Sequence, residues 1–146
     1  AQTQSIDMRD ELQRHIDGLG LSDSVHLCGR TPKPYYEMRR SSIFVLSSHY
    51  EGFPNVLCEA MYAGDLCISS DCVSGPRELI VPGKNGWLFP VGDEHKLTDE
   101  LRHCIKSIES GDDMDSIRSS AQNTVKRLYM DENIKHWVCL VQKVKR

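Results

Sequence analysis

Strand and helix signals alternate through residue 92 of this 146-residue chain, and that order predicts an α/β fold: a doubly wound, mostly parallel sheet flanked by helices. Three observations carry the expectation. Ile43-Phe44-Val45-Leu46 and Leu66-Cys67-Ile68 are short, continuously apolar runs of the kind that form parallel strands covered on both faces. Between them, Val56, Leu57, Ala60 and Met61 make one stripe of a helix over Asn55 to Ala63 that Gly64 stops, completing a βαβ unit. From Asp93 onward the strand signal disappears, so the chain is expected to end in several consecutive helices.

The remaining elements follow from local chemistry. Met8, Leu12, Ile16 and Leu19 recur at helical spacing, with Gly18 and Gly20 marking a helix end. Val25-His26-Leu27-Cys28, closed by Gly29, predicts a strand, and Pro32 and Pro34 lead into a short helix around Tyr35 to Arg40. Pro76 suits the first position of a short helix after Ser74-Gly75, and Pro82 to Gly86 reads as a turn into the strand Trp87-Leu88-Phe89. Three helical faces complete the chain: Leu97, Leu101, Ile105 and Ile108; then Met114, Ile117, Ala121, Val125 and Leu128; then Ile134, Trp137, Val138 and Val141.

Lys and Arg number 18 against 21 Asp and Glu, for a net charge of −3, and 39% of the residues are hydrophobic. This balance predicts one soluble domain over residues 1–146 and argues against nucleic acid as a partner, since phosphate contacts need a basic surface. No apolar run approaches the roughly 20 residues that cross a bilayer. The start, Ala1-Gln2-Thr3-Gln4, has neither an initiator Met nor a signal-peptide pattern, and is expected to belong to a piece of something longer. The six cysteines include no C-x-x-C pair and no zinc spacing; Cys28 and Cys67, inside apolar strand-like runs, are expected as buried thiols in a reducing cytoplasm.

In an open α/β sheet, ligands sit beyond the carboxyl ends of the strands. Of the four segments that follow strands here, Ser47 to Met61 is the most informative: it joins a strand end, a glycine-containing turn, a helix start and two carboxylates, Glu51 and Glu59. The first amides of the helix after Pro54 lack intrahelical acceptors, and the helix dipole favours an anion there, so a phosphate fits. Gly52 lets a ligand approach the backbone. Glu59 lies roughly 6 Å along the axis from Asn55 at 1.5 Å per residue. Carboxylates repel phosphate, so beside it their task is to accept hydrogen bonds from neutral hydroxyls, as on a ribose or hexose.

Glu51 and Glu59 form an E-x7-E spacing, and Ser47 to Met61 closely resembles the signature of glycosyltransferase family 4, retaining enzymes of the GT-B fold. Val25 to Gly29, Ile43 to Ser48, Gly64 to Asp71, Gly75-Pro76-Arg77-Glu78 and Asn85-Gly86 also match elements of that family's C-terminal, Rossmann-like donor-binding domain, from about Leu12 to Ile105. The resemblance implies that Glu59 binds the ribose hydroxyls of a nucleotide-diphosphate sugar and that Glu51, as the catalytic residue, touches the transferred sugar. Gly52, Phe53, Pro54 and Asn55 would line the sugar, and the amides of Val56 and Leu57 would face the diphosphate. Gly29 and Arg30 follow the strand that, in the family, contacts the nucleobase. No metal and no cofactor is implied, because helix amides and basic side chains replace a metal at the leaving diphosphate.

The family begins this domain with a further strand and helix that carry an Arg and a Lys clamping the diphosphate; the chain is expected to start after them, and Arg30 and Lys33 are not that pair. The acceptor-binding N-terminal lobe is also expected to be missing, supplied by the same or a separate chain, so the chain alone should not transfer sugar. A non-catalytic nucleotide-binding or interaction module is the alternative, and a GT-B sugar-nucleotide epimerase is disfavoured because its additional acids and histidine are not found. Arg77 and Glu78 either pair with each other, cap the short helix or reach the site; His49 and Tyr50 suit solvated or packing roles. Lys126, Arg127, Lys135, Lys143, Lys145 and Arg146 make the C-terminal end basic, which suits peripheral association with the inner face of a membrane, although solvated helix faces account for them more simply.

Overall fold

The computed structural model describes residues 8–129 and divides the chain into two compact units, residues 1–33 and 34–146. The first unit is built on α1, Arg9–Gly18, of which only Ile16 is buried; Met8, Leu12 and Leu19 of the expected apolar face are exposed. The expected strand at residues 25–28 does not form. These residues have no ladder partner; Leu21 closes a turn by accepting from the amides of Ser24 and Val25, and the Leu27 carbonyl accepts a 2.7 Å hydrogen bond from the Arg9 guanidinium. Cys28, expected to be buried in that strand, is consequently exposed.

In the second unit, α2 (Pro34–Met38), β1 (Ile43–Leu46), α3 (Asn55–Ala63), β2 (Leu66–Ser70), α4 (Pro76–Leu79), β3 (Trp87–Phe89), α5 (Glu94–Glu109) and α6 (Asp115–Tyr129) follow in order. The three strands form a parallel sheet in the order β1-β2-β3, with Leu46 opposite Ser69 and Ser70 opposite Phe89. Side chains on a strand alternate between faces, and the alternation here fills two cores. On one face Phe44, Leu46, Cys67 and Leu88 meet Leu57, Ala60 and Met61 of α3 and Ala121 and Val125 of α6. On the other, Ile43, Val45, Leu66, Ile68, Trp87 and Phe89 meet Leu97, Leu101 and Cys104 of α5, together with Met114 and Ile117. Each fully buried Leu, Ile or Met contributes about 1.5–3 kcal/mol relative to exposure.

Central β2 is buried throughout, whereas β1 is only half-buried; β3, the other edge, is mostly buried. In α5 the buried face runs through Cys104 and Ser107, so Ile105 and Ile108, expected in the core, are exposed. Gly64 ends α3 in the left-handed conformation (φ 99°), as its position predicts. Among the described residues, no helix is long and apolar enough to cross a membrane. The helix expected around Ile134 to Val141, Cys139 and the basic residues Lys135, Lys143, Lys145 and Arg146 lie outside the described residues; Lys126 and Arg127 are exposed in the last turn of α6.

Candidate functional site

β1 and β2 both end in serine-rich sequence, and their loops are joined by those serines. Beyond the last paired residues, Leu46 and Ser69, the buried Ser70 hydroxyl donates a 2.5 Å bond to the Ser48 carbonyl. Ser48 Oγ in turn donates to Glu51 Oε1 at 2.6 Å, and Ser74 Oγ, from the loop after β2, donates to the Glu51 carbonyl at 2.6 Å. Glu51 is therefore held at both its main chain and its carboxylate, half-buried, at the carboxyl end of the sheet. Gly75 keeps the two loops in contact: with φ 90°, a Cβ there would lie 2.5 Å from Pro54 Cδ and 3.1 Å from the Gly52 carbonyl.

Buried Pro54 precedes α3 and its carbonyl accepts from the amides of Leu57 (3.0 Å) and Cys58 (3.2 Å). The Leu57 amide is thus already engaged, and Val56 N–H is the first-turn amide that makes no hydrogen bond within the described residues. Leu57 itself is wholly buried, so its side chain belongs to the core. Asn55 and Phe53 are exposed at the mouth of the helix, as is Gly52, around which a Cβ would meet nothing within 4 Å. Glu59, one turn into α3, is exposed, and its carboxylate makes no ion pair or hydrogen bond among the described residues. One end of the sheet thus gathers Glu51, Gly52, Phe53, Pro54, Asn55 and the α3 amino terminus.

Gly29 and Arg30 belong to the first unit. Gly29 adopts φ 65° and a Cβ on it would approach Arg9 Nη1 to 3.2 Å, while Arg30 is exposed. The strand expected before them is absent, as described above, so their placement rests on the turn and the Arg9 contact. Arg77 does not pair with Glu78 or cap α4; it forms a two-pronged pair with Asp71, at 2.8 and 2.6 Å, which holds the Asp71 carboxyl below its usual range. His49 and Tyr50 are exposed. Among the described residues no group of three His, Cys, Asp or Glu side chains is arranged to hold a metal ion. The functional candidates that the sequence did not single out are Ser48, Ser70 and Ser74. Their signal was a run of hydroxyl residues at the ends of two adjacent strands, which spacing alone does not connect.

The sequence profile of the family described as "Glycosyl transferases group 1" fits residues 5–123. The chain belongs to this family. It is 29% identical over 164 residues to an uncharacterized glycosyltransferase of Methanocaldococcus jannaschii, an alignment covering 93% of this chain and 40% of that protein. Over 100 residues it is 39% identical to lipopolysaccharide 1,6-galactosyltransferase of Salmonella typhimurium, covering 66% of this chain and 28% of that one. Among solved structures it is similar to the apo lipopolysaccharide outer core galactosyltransferase, with a TM-score of 0.75 at 28% identity over 94% of this chain and 38% of that chain. A protein from Anabaena in complex with UDP shares the fold at a TM-score of 0.78 and 24% identity, over 92% of this chain and 36% of that chain. This glycosyltransferase-family chain therefore spans less than half the length of each of these relatives. Its α/β architecture is that of the Rossmann-like half of a GT-B fold.

Proposed function

We propose that this chain is the donor-binding domain of a retaining, metal-independent glycosyltransferase that holds a nucleoside-diphosphate sugar beyond the carboxyl ends of β1 and β2. The carrying observation is the division of labour at that end: the fold fixes Glu51 through Ser48 and Ser74, but spends neither the Glu59 carboxylate nor the space over Gly52. Glu59 accepts hydrogen bonds from the ribose hydroxyls and Glu51 from hydroxyls of the sugar. Gly52, Phe53, Pro54 and Asn55 line the sugar, and the Val56 amide with the α3 dipole stabilises the diphosphate as negative charge builds on it. Leu57 N–H sits in the same turn. In the transfer, the bond between the anomeric carbon and the diphosphate oxygen breaks, the acceptor oxygen bonds to that carbon on the same face, and the acceptor proton passes to the departing diphosphate.

The acceptor-binding lobe and the basic diphosphate clamp come from residues outside this chain, which by itself does not transfer sugar. Named relatives act in glycan assembly: a lipopolysaccharide galactosyltransferase, and a transferase acting on an undecaprenol-linked sugar in Campylobacter jejuni that is 30% identical over 119 residues. They support an enzyme of glycan biosynthesis, which we place in the cytoplasm at the inner face of a membrane.

Calorimetric titration with UDP, GDP, UDP-glucose and GDP-mannose tests the reading. Saturable binding of at least one probe is expected, weakened tenfold or more in Glu59→Ala. Absence of any saturable heat, or equal affinity in the variant, overturns the donor role of Glu59 and leaves a non-catalytic module. Turnover by this chain alone with donor and acceptor overturns its catalytic dependence on another lobe.

A further inference from the structure

Three serine hydroxyls at the strand ends direct their protons at a single four-residue segment, residues 48–51. Ser70, in the central strand and 1% exposed, secures the Ser48 carbonyl; Ser74 secures the Glu51 carbonyl; and Ser48 Oγ donates to one carboxylate oxygen of Glu51. The first two bonds fix the loop. The third does something else, because it acts on the side chain that meets the ligand. A glutamate on a loop has three rotatable bonds and, once ionised, only acceptor oxygens. Tying Oε1 to a hydroxyl restricts that freedom and leaves Oε2 as an acceptor for a hydroxyl donor.

We propose that Ser48 is a positioning residue for sugar recognition: it pre-sets the Glu51 carboxylate so that the carboxylate discriminates the sugar-bearing donor from the bare nucleotide. The proposal rests on the donor-site reading above and goes beyond it by assigning a separable role to a residue that does not touch the nucleotide. Ser48 can perform this role because it is itself anchored from β2. The Ser70 bond carries the β1–β2 contact past the last ladder pair, so Ser48 is part of the sheet's rigid end and not of the mobile part of a loop.

The effect is separable because nucleotide and sugar fall to different residues. Affinity for UDP or GDP depends on Glu59 and the α3 amino terminus, while the gain from adding the sugar depends on Glu51. The experiment is calorimetric titration of the wild-type chain, Ser48→Ala, Ser48→Thr and Glu51→Gln with UDP against UDP-glucose, and with GDP against GDP-mannose. In the matching pair, the wild type should bind the nucleotide-sugar more tightly than the nucleotide. Ser48→Ala should lose at least fivefold of that gain, approaching Glu51→Gln, with bare-nucleotide affinity within twofold of wild type as the internal check on folding. Ser48→Thr, which keeps the hydroxyl, should restore most of the gain.

Retention of the full gain in Ser48→Ala overturns the proposal, as does a loss of the gain in Ser48→Thr equal to that in Ser48→Ala, which would mark a packing role. A parallel fall in nucleotide and nucleotide-sugar affinity overturns it too, by showing that Ser48 acts on the whole site. Wild-type binding of a nucleotide with no gain from its sugar removes the sugar role of Glu51 and this inference with it. The broader donor reading fails separately, when no nucleotide binds at all.

Discussion

Gly75 and Pro54 approach so closely that a Cβ on the glycine would lie 2.5 Å from the proline Cδ. This contact joins the loop after β2 to the turn that begins α3, and both its sides are unyielding: Gly75 sits at φ 90° and Pro54 is fully buried. Gly75→Ala should therefore cost about 2–4 kcal/mol, combining backbone strain with overpacking. Urea unfolding followed by circular dichroism should show a lower midpoint. The same variant should lose sugar-dependent binding, because it displaces the loop that carries Ser74 from Glu51. A midpoint equal to wild type would mean that the loops separate freely.

Asn85 ties the turn before β3 to α6. Its Oδ1 accepts from Val81 N–H at 2.7 Å, and Nδ2 donates to the Leu79 carbonyl at 2.9 Å and to Thr124 Oγ1 at 3.0 Å, all with 3% exposure of the residue. Removing it orphans buried backbone groups, so Asn85→Ala should cost about 2–4 kcal/mol. Thr124→Val removes one partner only and should cost about 1 kcal/mol. Equal costs in chemical denaturation would contradict this ranking.

Asp65, at the amino end of β2, is 2% exposed; Ser41 Oγ donates to its Oδ1 at 2.7 Å, and Oδ2 has no hydrogen-bond partner. Burial raises its pKa above the ordinary 3.8, opposed by the Ser41 bond and by Arg118. The folded chain thus holds this proton more tightly than the unfolded one. The associated stabilisation is complete below the ordinary carboxylate pKa and is lost as pH rises through the raised value. Asp65→Asn, which cannot ionise, should gain stability relative to wild type as pH is raised from 3 to 7, and a pH series of unfolding curves with a constant difference between the two proteins would refute this.

Asp71 and Arg77 make good geometry but little stability, because the Arg77 side chain is 66% and the Asp71 side chain 28% exposed. Arg77→Ala should leave stability at pH 7 nearly unchanged. Because Arg77 lowers the Asp71 pKa, this small contribution is present above the ordinary carboxylate pKa and lost as pH falls through the lowered value. High salt should reduce it further. Matched unfolding curves with and without 1 M NaCl would reveal a larger role.

Thiol reactivity should separate the cysteines. Cys28 is exposed, whereas Cys58, Cys67, Cys72 and Cys104 are buried, and burial pushes Cys67 far up and Cys104 to about 11. In a Cys139→Ser background, iodoacetamide at pH 8 should label Cys28 rapidly and the other four only after unfolding. Rapid labelling of Cys67 in the native chain would contradict its place in the central strand.

Much of this protein could be read from its residues. The apolar runs at Ile43–Leu46, Leu66–Ile68 and Trp87–Phe89 have few alternatives to parallel strands, and helical periodicity with Gly64 as a stop fixed α3. The E-x7-E segment spans the turn after β1 and the first half of α3, at the carboxyl end of the sheet. Several readings failed for one reason. Val25 to Cys28 has strand composition but finds no neighbouring strand among the described residues, and Met8, Leu12 and Leu19 of α1 and Ile105 and Ile108 of α5 have helical spacing but are exposed. In each case the partner decided, and partners are distant in sequence.

The sequence by itself determined the family and the order of elements from β1 to β3, because these depend on local spacing and residue chemistry. Only the tertiary structure decided how Glu51 is held. Ser48, Ser70 and Ser74 come from two strand ends, and their hydroxyls converge on residues 48–51 because the parallel pairing of β1 with β2 brings those ends side by side.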